Sequence, residues 1–184
     1  MFLLYNLAKY PEVQNKVFQE IIDVFGYNAN EEITIKWVTR KIEIIQIDNS
    51  LSFHHRNLNE LRYLDLVLKE SLRMHTTVPF IGRRIIKDTI IDGKFYPAGA
   101  DVSLGFYMIM RDPEYFPEPD KFKPERFDVV SSNEKQNPFT YTPFAAGPRN
   151  CIGKLMFERV LMNLIAKVFH FQVKSLLSMK SKRW

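Results

Sequence analysis

The pattern of apolar positions predicts two helices in the first 26 residues. Residues 1–9 are largely apolar, which favours the last turns of a helix that begins before this chain does. Pro11 starts the next helix at a position where its missing N–H costs nothing, and Gly26 ends it. The helical period between them is set by Val13, Val17, Phe18, Ile21, Ile22 and Phe25. This spacing predicts an amphipathic helix that packs on the rest of the protein.

A stripe of leucines predicts a third helix, which begins at Asn57 and ends before Pro79. Glu60 follows Asn57 at the spacing of a capping box. The stripe consists of Leu61, Leu64, Leu68 and Leu72. Glu70 and Arg73 lie roughly opposite the stripe on the helical wheel, so periodicity alone predicts that they face water. A solvated pair at this spacing contributes only about 0.3–0.5 kcal/mol.

Short β-prone runs separated by turns follow the third helix. They occupy residues 84–86, 89–91, 94–97 and 102–104. The dipeptide Asp92-Gly93, between the second and third runs, is typical of a hairpin turn. The pattern therefore predicts a small antiparallel sheet.

The pattern changes twice more after the sheet. Residues 111–137 are rich in proline and charge and have neither the helical nor the strand period, which predicts an ordered irregular segment. Residues 154–169 are helical in pattern, and eleven of these sixteen residues are apolar. Because that is too many for a helix with a broad wet face, we expect this helix to be largely buried. The basic tail 174–184 is expected to be a frayed end.

Composition indicates one ordinary globular unit. The chain has 184 residues, of which 46% are hydrophobic and 26% are charged. Combined with the element pattern, this predicts a mainly α fold with a small antiparallel β-sheet, an α+β class. The net charge of +5 favours a solvated basic surface over a nucleic-acid groove. Residues 1–9 are far fewer than the ~18–20 that a membrane-spanning helix needs, so we expect no anchor in this chain.

Residues 37–56 fit this picture least well and are a candidate insertion. Within them, residues 39–48 alternate like a short strand, whereas residues 52–56 are typical of a loop. Adjacent His54 and His55 cannot place both imidazoles on one helix face, so surface histidines are expected rather than metal ligands.

The single cysteine lies in the glycine-flanked loop Phe144-Ala-Ala-Gly147-Pro-Arg149-Asn-Cys151-Ile-Gly153, which opens onto the last helix. One cysteine cannot form an internal disulfide. Because Gly147 and Gly153 have no Cβ, the backbone can turn sharply there and approach a flat ligand closely. A helix N-terminus favours the Cys151 thiolate, which can bind iron. From these residues alone, a small buried hydrophobic residue or a redox or structural thiol stays open.

The loop resembles the signature Phe-x-x-Gly-x-Arg-x-Cys-x-Gly of the cytochromes P450. Upstream, Lys69-Glu-Ser-Leu-Arg73 resembles the Glu-x-x-Arg helix of that family, and Pro124-Glu-Arg126-Phe127 is similar to its Pro-Glu-Arg-Phe element. The resemblance implies that Glu70, Arg73 and Arg126 form a buried, structural triad of salt bridges. This triad would hold the irregular segment beneath the cysteine loop.

The similarity is strong over residues 1–26, 57–128 and 138–170, and its details resemble the family 4 P450s. The resemblance implies that residues 1–184 form the C-terminal, haem-binding part of the P450 fold. They would extend from the end of the central helix through the cysteine loop to the last helix.

The resemblance also implies roles for the loop residues. Cys151 would bind the iron of haem b, and Phe144 would pack beside the thiolate and the haem. The backbone N–H groups that follow the cysteine, including those of Ile152 and Gly153, would donate hydrogen bonds to the sulfur. Gly147 would give the loop its sharp turn.

Arginines are the expected partners of the two haem propionates, because a guanidinium donates two parallel hydrogen bonds to a carboxylate. By resemblance, these are Arg149 and Arg83, with adjacent Arg84 as the alternative to Arg83. Met110-Arg111 stands where family members commonly have His-Arg. This departure removes one propionate partner.

The function implied by the resemblance is that of a haem-thiolate monooxygenase, which inserts one oxygen atom from O₂ into a lipophilic substrate such as a fatty acid. NADPH-cytochrome P450 reductase is the expected electron donor, and the endoplasmic reticulum membrane is the expected location. The Ala-Gly-x-x-Thr segment that delivers protons in the family does not occur in this sequence, so no catalytic residue is assigned. The alternative is a truncated, catalytically silent chain that binds haem weakly or not at all.

Overall fold

The structure is a computed structural model that describes residues 2–25, 58–128, 137 and 139–181. The helices are α1 (Phe2–Lys9), α2 (Pro11–Phe25), α3 (Arg62–Met74), α4 (Phe106–Ile109) and α5 (Lys154–Ser181). The strands are β1 (Ile81–Arg84), β2 (Thr89–Ile91), β3 (Lys94–Tyr96) and β4 (Asp101–Leu104), and a 3₁₀ helix spans Pro124–Phe127. The fold is mainly α with small antiparallel sheets, so the predicted class is confirmed.

Several predicted features fall outside the described residues. They are Gly26, Asn57, the candidate insertion 37–56 with its strand-like run and its two histidines, and parts of the irregular segment and of the tail. The chain divides into two compact units. The first takes its described residues from 3–65 and 155–184, and the second takes its described residues from 66–154 together with Phe2.

The first unit has a core of apolar side chains from its helices. The predicted period of α2 is confirmed, because Val13, Val17 and Ile21 are all buried. On α5 the buried side chains are those of Met162, Ile165, Ala166 and Phe169. The ring of Phe169 lies 6.5 Å from that of Phe18, measured between centroids. Burial of these apolar surfaces is the main stabilising contribution in this unit.

The start of α3 differs from its prediction. The helix begins at Arg62, and Glu60 lies in the preceding turn rather than inside a capping box. The cap comes instead from α2, where the Glu20 carboxylate accepts hydrogen bonds from the backbone N–H groups of Tyr63, at 2.6 Å, and Leu64, at 2.9 Å. These groups lie in the first turn of α3, where no intrahelical acceptor exists for them. A residue about 40 positions away in the chain therefore caps this helix.

The leucine stripe of α3 is confirmed as a buried face. Leu61, Leu64, Leu68 and Leu72 are all buried, as their spacing predicts.

Two small antiparallel sheets make up the β-structure of the second unit. Strand β1 pairs with β4 in the register Ile81↔Leu104, and β2 pairs with β3 in the register Ile90↔Phe95. The predicted hairpin turn between β2 and β3 is confirmed, with positive φ at both Asp92 (50°) and Gly93 (71°). The first strand begins at residue 81, earlier than the predicted run 84–86.

Side chains of the irregular segment take part in a compact apolar cluster. Phe106, Met110, Phe116 and Phe127 form its buried centre. Leu66, Ile81, Tyr141 and Ala145 pack against that centre. Apart from the 3₁₀ helix, the described residues of 111–137 have no regular structure, as their composition predicts. Side chains from three separate stretches of the chain therefore hold this segment in place.

The prediction for α5 is wrong in two respects. Its helical backbone continues to Ser181, so residues 174–181 are not a frayed end. The helix is also not largely buried, because Leu155, Met156, Val160 and Leu164 are exposed. Apolar composition measures how much surface could be buried, but it does not say which part finds a partner. None of the helices in the described part of the chain has the length and the apolar composition of a membrane span.

Candidate functional site

A buried ion-pair network connects α3 to the irregular segment. Glu70 and Arg73 have no exposed side-chain surface, so the solvated pair predicted from periodicity is wrong. The guanidinium of Arg73 donates two hydrogen bonds to the Glu70 carboxylate, at 2.8 and 2.9 Å. Arg126 donates to the same carboxylate at 3.1 Å, and the backbone N–H of Lys123 does so at 2.9 Å. The structure thus places Glu70, Arg73 and Arg126 in one network.

The arginines of this network also bind main-chain carbonyl groups of the irregular segment. Arg73 donates to the carbonyl of Met110 at 2.9 Å and to that of Pro119 at 2.7 Å. Arg126 donates to the carbonyl of Pro117 at 2.9 Å. Hydrogen bonds from charged donors are stronger than neutral ones, and they satisfy carbonyl groups that have no helix or sheet partner. The network therefore sets the path of a segment that has little regular structure.

Glu118 supports the same segment in a way that the sequence analysis missed. It has a positive φ of 53°, and its carboxylate binds the side chains of Lys121 and Lys123. The side-chain hydrogen bonds from Lys121 and then Lys123 lower the pKa of Glu118 to about 2. The Glu118 carbonyl accepts a hydrogen bond from Arg126 at 3.3 Å. The Glu-x-x-Lys-x-Lys spacing is the sequence signal for this cluster.

The cysteine loop is closed by its own backbone hydrogen bonds. The N–H of Cys151 donates to the carbonyl of Phe144 at 3.0 Å, and that of Asn150 donates to Gly147 at 3.1 Å. The turn requires positive φ at Ala145 (61°) and Gly147 (80°). Only glycine adopts this conformation without steric cost, which explains Gly147 directly.

The loop leads into α5, with the Lys154 N–H donating to the Cys151 carbonyl at 3.3 Å. The Cys151 side chain is exposed, so it is not a buried hydrophobic residue. An added Cβ at Gly153 would lie 3.8 Å from the Cys151 sulfur, an ordinary van der Waals distance. The structure therefore presents an open thiol three residues before a helix begins.

The other predicted loop residues differ in their burial. Phe144 is half-buried, whereas Arg149 and Ile152 are exposed. Ile152 is fully exposed although it is apolar and stands next to Cys151. The side chains of Arg149 and Ile152, like the thiol between them, are therefore open to solvent.

The structure distinguishes between the adjacent arginines of β1. Arg84 pairs with Asp101 on β4 at 3.3 Å, and these two residues are directly opposite in the sheet register. Arg83 is exposed and donates to the carbonyl of neighbouring Gly82 at 2.9 Å. Because side chains alternate along a strand, Arg83 and Arg84 point to opposite faces. Of the two, Arg83 has the side chain without a carboxylate partner among the ion pairs described.

Met110 and Arg111 have structural roles. Met110 is completely buried in the apolar cluster, where a thioether is better suited than an imidazole. Arg111 pairs with Asp120 at 2.8 Å and donates to the Met74 carbonyl at 2.9 Å. Its guanidinium also lies 4.5 Å from the ring centre of Tyr107. These contacts hold Arg111 against the end of α3, α4 and the irregular segment.

Known proteins resemble this chain along nearly its whole length. The sequence model of the family described as Cytochrome P450 matches residues 1–181. Cytochrome P450 4d1 of Drosophila melanogaster is 41% identical over 174 residues, which cover 94% of this chain and 30% of that protein. Cytochrome P450 4d2 of the same organism is 39% identical over 173 residues, with 94% and 30% covered. Cytochrome P450 4d10 of Drosophila mettleri is 38% identical over 174 residues, again with 94% and 30% covered. The chain thus spans about a third of the length of the curated relatives it matches.

Proposed function

The chain belongs to the cytochrome P450 family, and on that premise we propose that it is the haem-binding part of a haem-thiolate monooxygenase whose iron ligand is Cys151. Its relatives are family 4 P450s, and proteins of this family are monooxygenases that bind haem b. The observation that supports this assignment best is the exposed Cys151 thiol in a closed loop immediately before α5.

In this proposal the sulfur of Cys151 lies close to the start of α5, which begins three residues further along the chain. Backbone N–H groups in the first turn of a helix lack intrahelical acceptors, and the helix dipole favours negative charge near them. The N–H groups of Ile152 and Gly153, which directly follow the cysteine, are the proposed donors to its sulfur. Such hydrogen bonds tune the electron density that a thiolate gives to iron.

Among the described residues, no group of three or more His, Cys, Asp and Glu side chains is arranged to hold a bare metal ion. One thiolate suits an iron atom whose remaining ligands come largely from a porphyrin. The chemistry that thiolate-bound haem supplies is cleavage of the O–O bond of reduced dioxygen and transfer of one oxygen atom to the substrate.

The chain's own side chains orient and shield such a cofactor. Arg149 and Arg83 are exposed guanidiniums, and we assign them to the two propionates. Half-buried Phe144 would limit access of water to the sulfur. The network of Glu70, Arg73 and Arg126 would act indirectly, by keeping the irregular segment folded so that the loop stays in place.

The proposal extends to a substrate and an electron donor. We propose a lipophilic substrate such as a fatty acid, electrons from NADPH-cytochrome P450 reductase, and association with the endoplasmic reticulum membrane. These assignments are supported by membership of the family and by similarity to its family 4 members.

A carbon monoxide difference spectrum tests the thiolate assignment. The purified chain is reconstituted with haem, reduced and exposed to carbon monoxide, and it is expected to give the red-shifted Soret band of thiolate-bound iron. Cys151→Ser should remove the shifted band, whereas Asn150→Ser, at the neighbouring exposed position, should keep it. An unshifted band, or no haem uptake, in the parent chain would favour a silent chain and overturn the assignment.

A further inference from the structure

Tyr141, three residues before the cysteine loop, contacts two other parts of the second unit. Its hydroxyl donates a hydrogen bond to the main-chain carbonyl of Lys69 on α3, at 3.1 Å. Its ring lies 4.7 Å from that of Phe127, between centroids, at an interplanar angle of 59°. This tilted arrangement is favourable for aromatic pairs. One side chain therefore reaches both α3 and the 3₁₀ helix.

Both contacts lie next to members of the buried ion-pair network. Lys69 directly precedes Glu70, and Phe127 directly follows Arg126. A carbonyl oxygen has two lone pairs, so the Lys69 carbonyl can accept the Tyr141 hydroxyl and still take part in the helix. The Glu70–Arg126 ion pair, 3.1 Å long, joins α3 to the 3₁₀ helix. Tyr141 contacts the same two elements.

The residues around Tyr141 connect it to the cysteine loop through burial and a backbone hydrogen bond. Thr140 and Thr142 on either side are buried. Three residues further on, the N–H of Ala145 donates to the Thr142 carbonyl at 3.0 Å, where the chain turns with positive φ. Ala145 and Tyr141 both pack against the same apolar cluster. The segment that leads to Cys151 is consequently fixed at its start.

We propose that Tyr141 is a positioning residue that fixes the cysteine loop against the Glu70–Arg73–Arg126 network and thereby sets how Cys151 is presented to haem. The haem part of this inference rests on the proposed function. The anchoring part does not, because it concerns contacts within the protein alone.

Hydrogen exchange in the full chain without haem tests the anchoring part. Tyr141→Phe removes the hydroxyl and keeps the ring, so it isolates the bond to Lys69. A net hydrogen bond is worth about 1 kcal/mol, so the amides of Ala145, Asn150 and Cys151 should exchange roughly fivefold faster. The amides of β2 and β3 should be unchanged. Tyr115→Phe, at an exposed tyrosine, is the matched control and should change neither set.

The carbon monoxide spectrum tests the haem part with the same variants. Tyr141→Phe should lower the fraction of haem in the red-shifted form, and Tyr141→Leu, which also removes the ring, should lower it further. Tyr115→Phe should match the parent. The decrease should persist well below the unfolding midpoint, where loss of one hydrogen bond leaves nearly all of the chain folded, and this separates positioning from a general loss of stability.

The outcomes separate this inference from the proposed function. If the loop amides of Tyr141→Phe exchange at the parental rate, Tyr141 does not anchor the loop. The same conclusion follows if the amides of β2 and β3 exchange faster by the same factor as the loop amides. If the loop amides alone speed up but the shifted fraction is unchanged, the link to Cys151 presentation is overturned. If the parent itself shows no shifted band, the haem assignment and this link both fail, while the exchange result still decides the anchor.

Discussion

Glu70 on α3 and Arg126 in the 3₁₀ helix form an ion pair of 3.1 Å across 56 residues of sequence. The same carboxylate oxygen accepts the backbone N–H of Lys123 at 2.9 Å. Glu70 therefore holds the irregular segment through one side-chain donor and one main-chain donor. Because the side chains of Glu70 and Arg73 are both fully buried, loss of the Glu70 charge would leave the Arg73 guanidinium without the carboxylate that it pairs with.

We predict that Glu70→Gln lowers the free energy of unfolding by about 3–5 kcal/mol, the usual effect of leaving buried charges unpaired. The glutamine amide keeps the shape, but its NH₂ group would face guanidinium donors. Urea denaturation followed by circular dichroism measures the change. Glu60→Gln, in the exposed turn before α3, should stay within about 0.5 kcal/mol of the parent. If Glu70→Gln lowers the free energy of unfolding by less than about 1 kcal/mol, the network contributes no more than a surface ion pair would.

The burial of Glu70 and Arg73 shows where local pattern fails. Periodicity predicts the leucine face of α3 correctly, since that face follows from spacing within a single helix. The opposite face is buried because Arg126 and the carbonyls of Met110 and Pro119 lie against it. These partners come from 37 to 56 residues further along the chain. The resemblance to known motifs predicted the burial where periodicity did not.

The same distinction applies to the ends and surfaces of helices. The hairpin turn at Asp92-Gly93 was predictable because positive φ is a local property. The cap on α3 was not, since it comes from Glu20 on another helix. On α5, composition predicted burial, yet exposed Leu155 and Val160 show that packing partners determine it. Local chemistry thus predicted elements and turns, whereas tertiary contacts decided what is buried.

The Glu20 cap should give a pH-dependent contribution to stability. Burial is the main reason that the pKa of Glu20 is raised, with repulsion from Asp65 adding to it, while the Tyr63 and Leu64 N–H groups oppose the rise. A carboxyl whose pKa is higher in the folded state binds more protons there. Its contribution is therefore full below its ordinary pKa of 4.5 and is lost as pH rises through the folded value.

We predict that the stability advantage of the parent over Glu20→Gln shrinks as pH increases from 4 towards 7. Urea unfolding at a series of pH values measures it, and subtraction of the variant removes the effects of other groups. Glu12→Gln, at an exposed position on the same helix, provides the baseline. An advantage that grows with pH would show that the two N–H bonds outweigh burial.

Glu118 and its two lysines should make a contribution to stability whose pH dependence is opposite to that of Glu20. Hydrogen bonds from Lys121 and Lys123 lower the pKa of Glu118 to about 2, so its contribution is present above its ordinary 4.5 and is lost as pH falls towards 2. Lys121→Gln or Lys123→Gln should raise this pKa towards its ordinary value, as measured by NMR titration of the Glu118 carboxyl group. Added salt should act in the same direction, because the group is exposed. Lys94→Gln in β3 is the control. If the pKa of Glu118 is the same in both lysine variants as in the parent, the two lysines are not what lowers it.

Gly147 and Gly82 offer a matched pair that isolates backbone conformation in the cysteine loop. A Cβ added at either position would meet no atom within 4 Å, but Gly147 has a φ of 80° and Gly82 has no positive φ. Gly147→Ala should therefore cost about 1–2 kcal/mol through strain alone, whereas Gly82→Ala should cost nothing. If the loop relaxes to relieve the strain, the Cys151 N–H loses its bond to Phe144, and the red-shifted fraction in the carbon monoxide spectrum falls. Thermal unfolding and that spectrum, measured on both variants, check the two effects separately. Equal behaviour of the two alanine variants would show that the left-handed turn is not needed to hold the thiol.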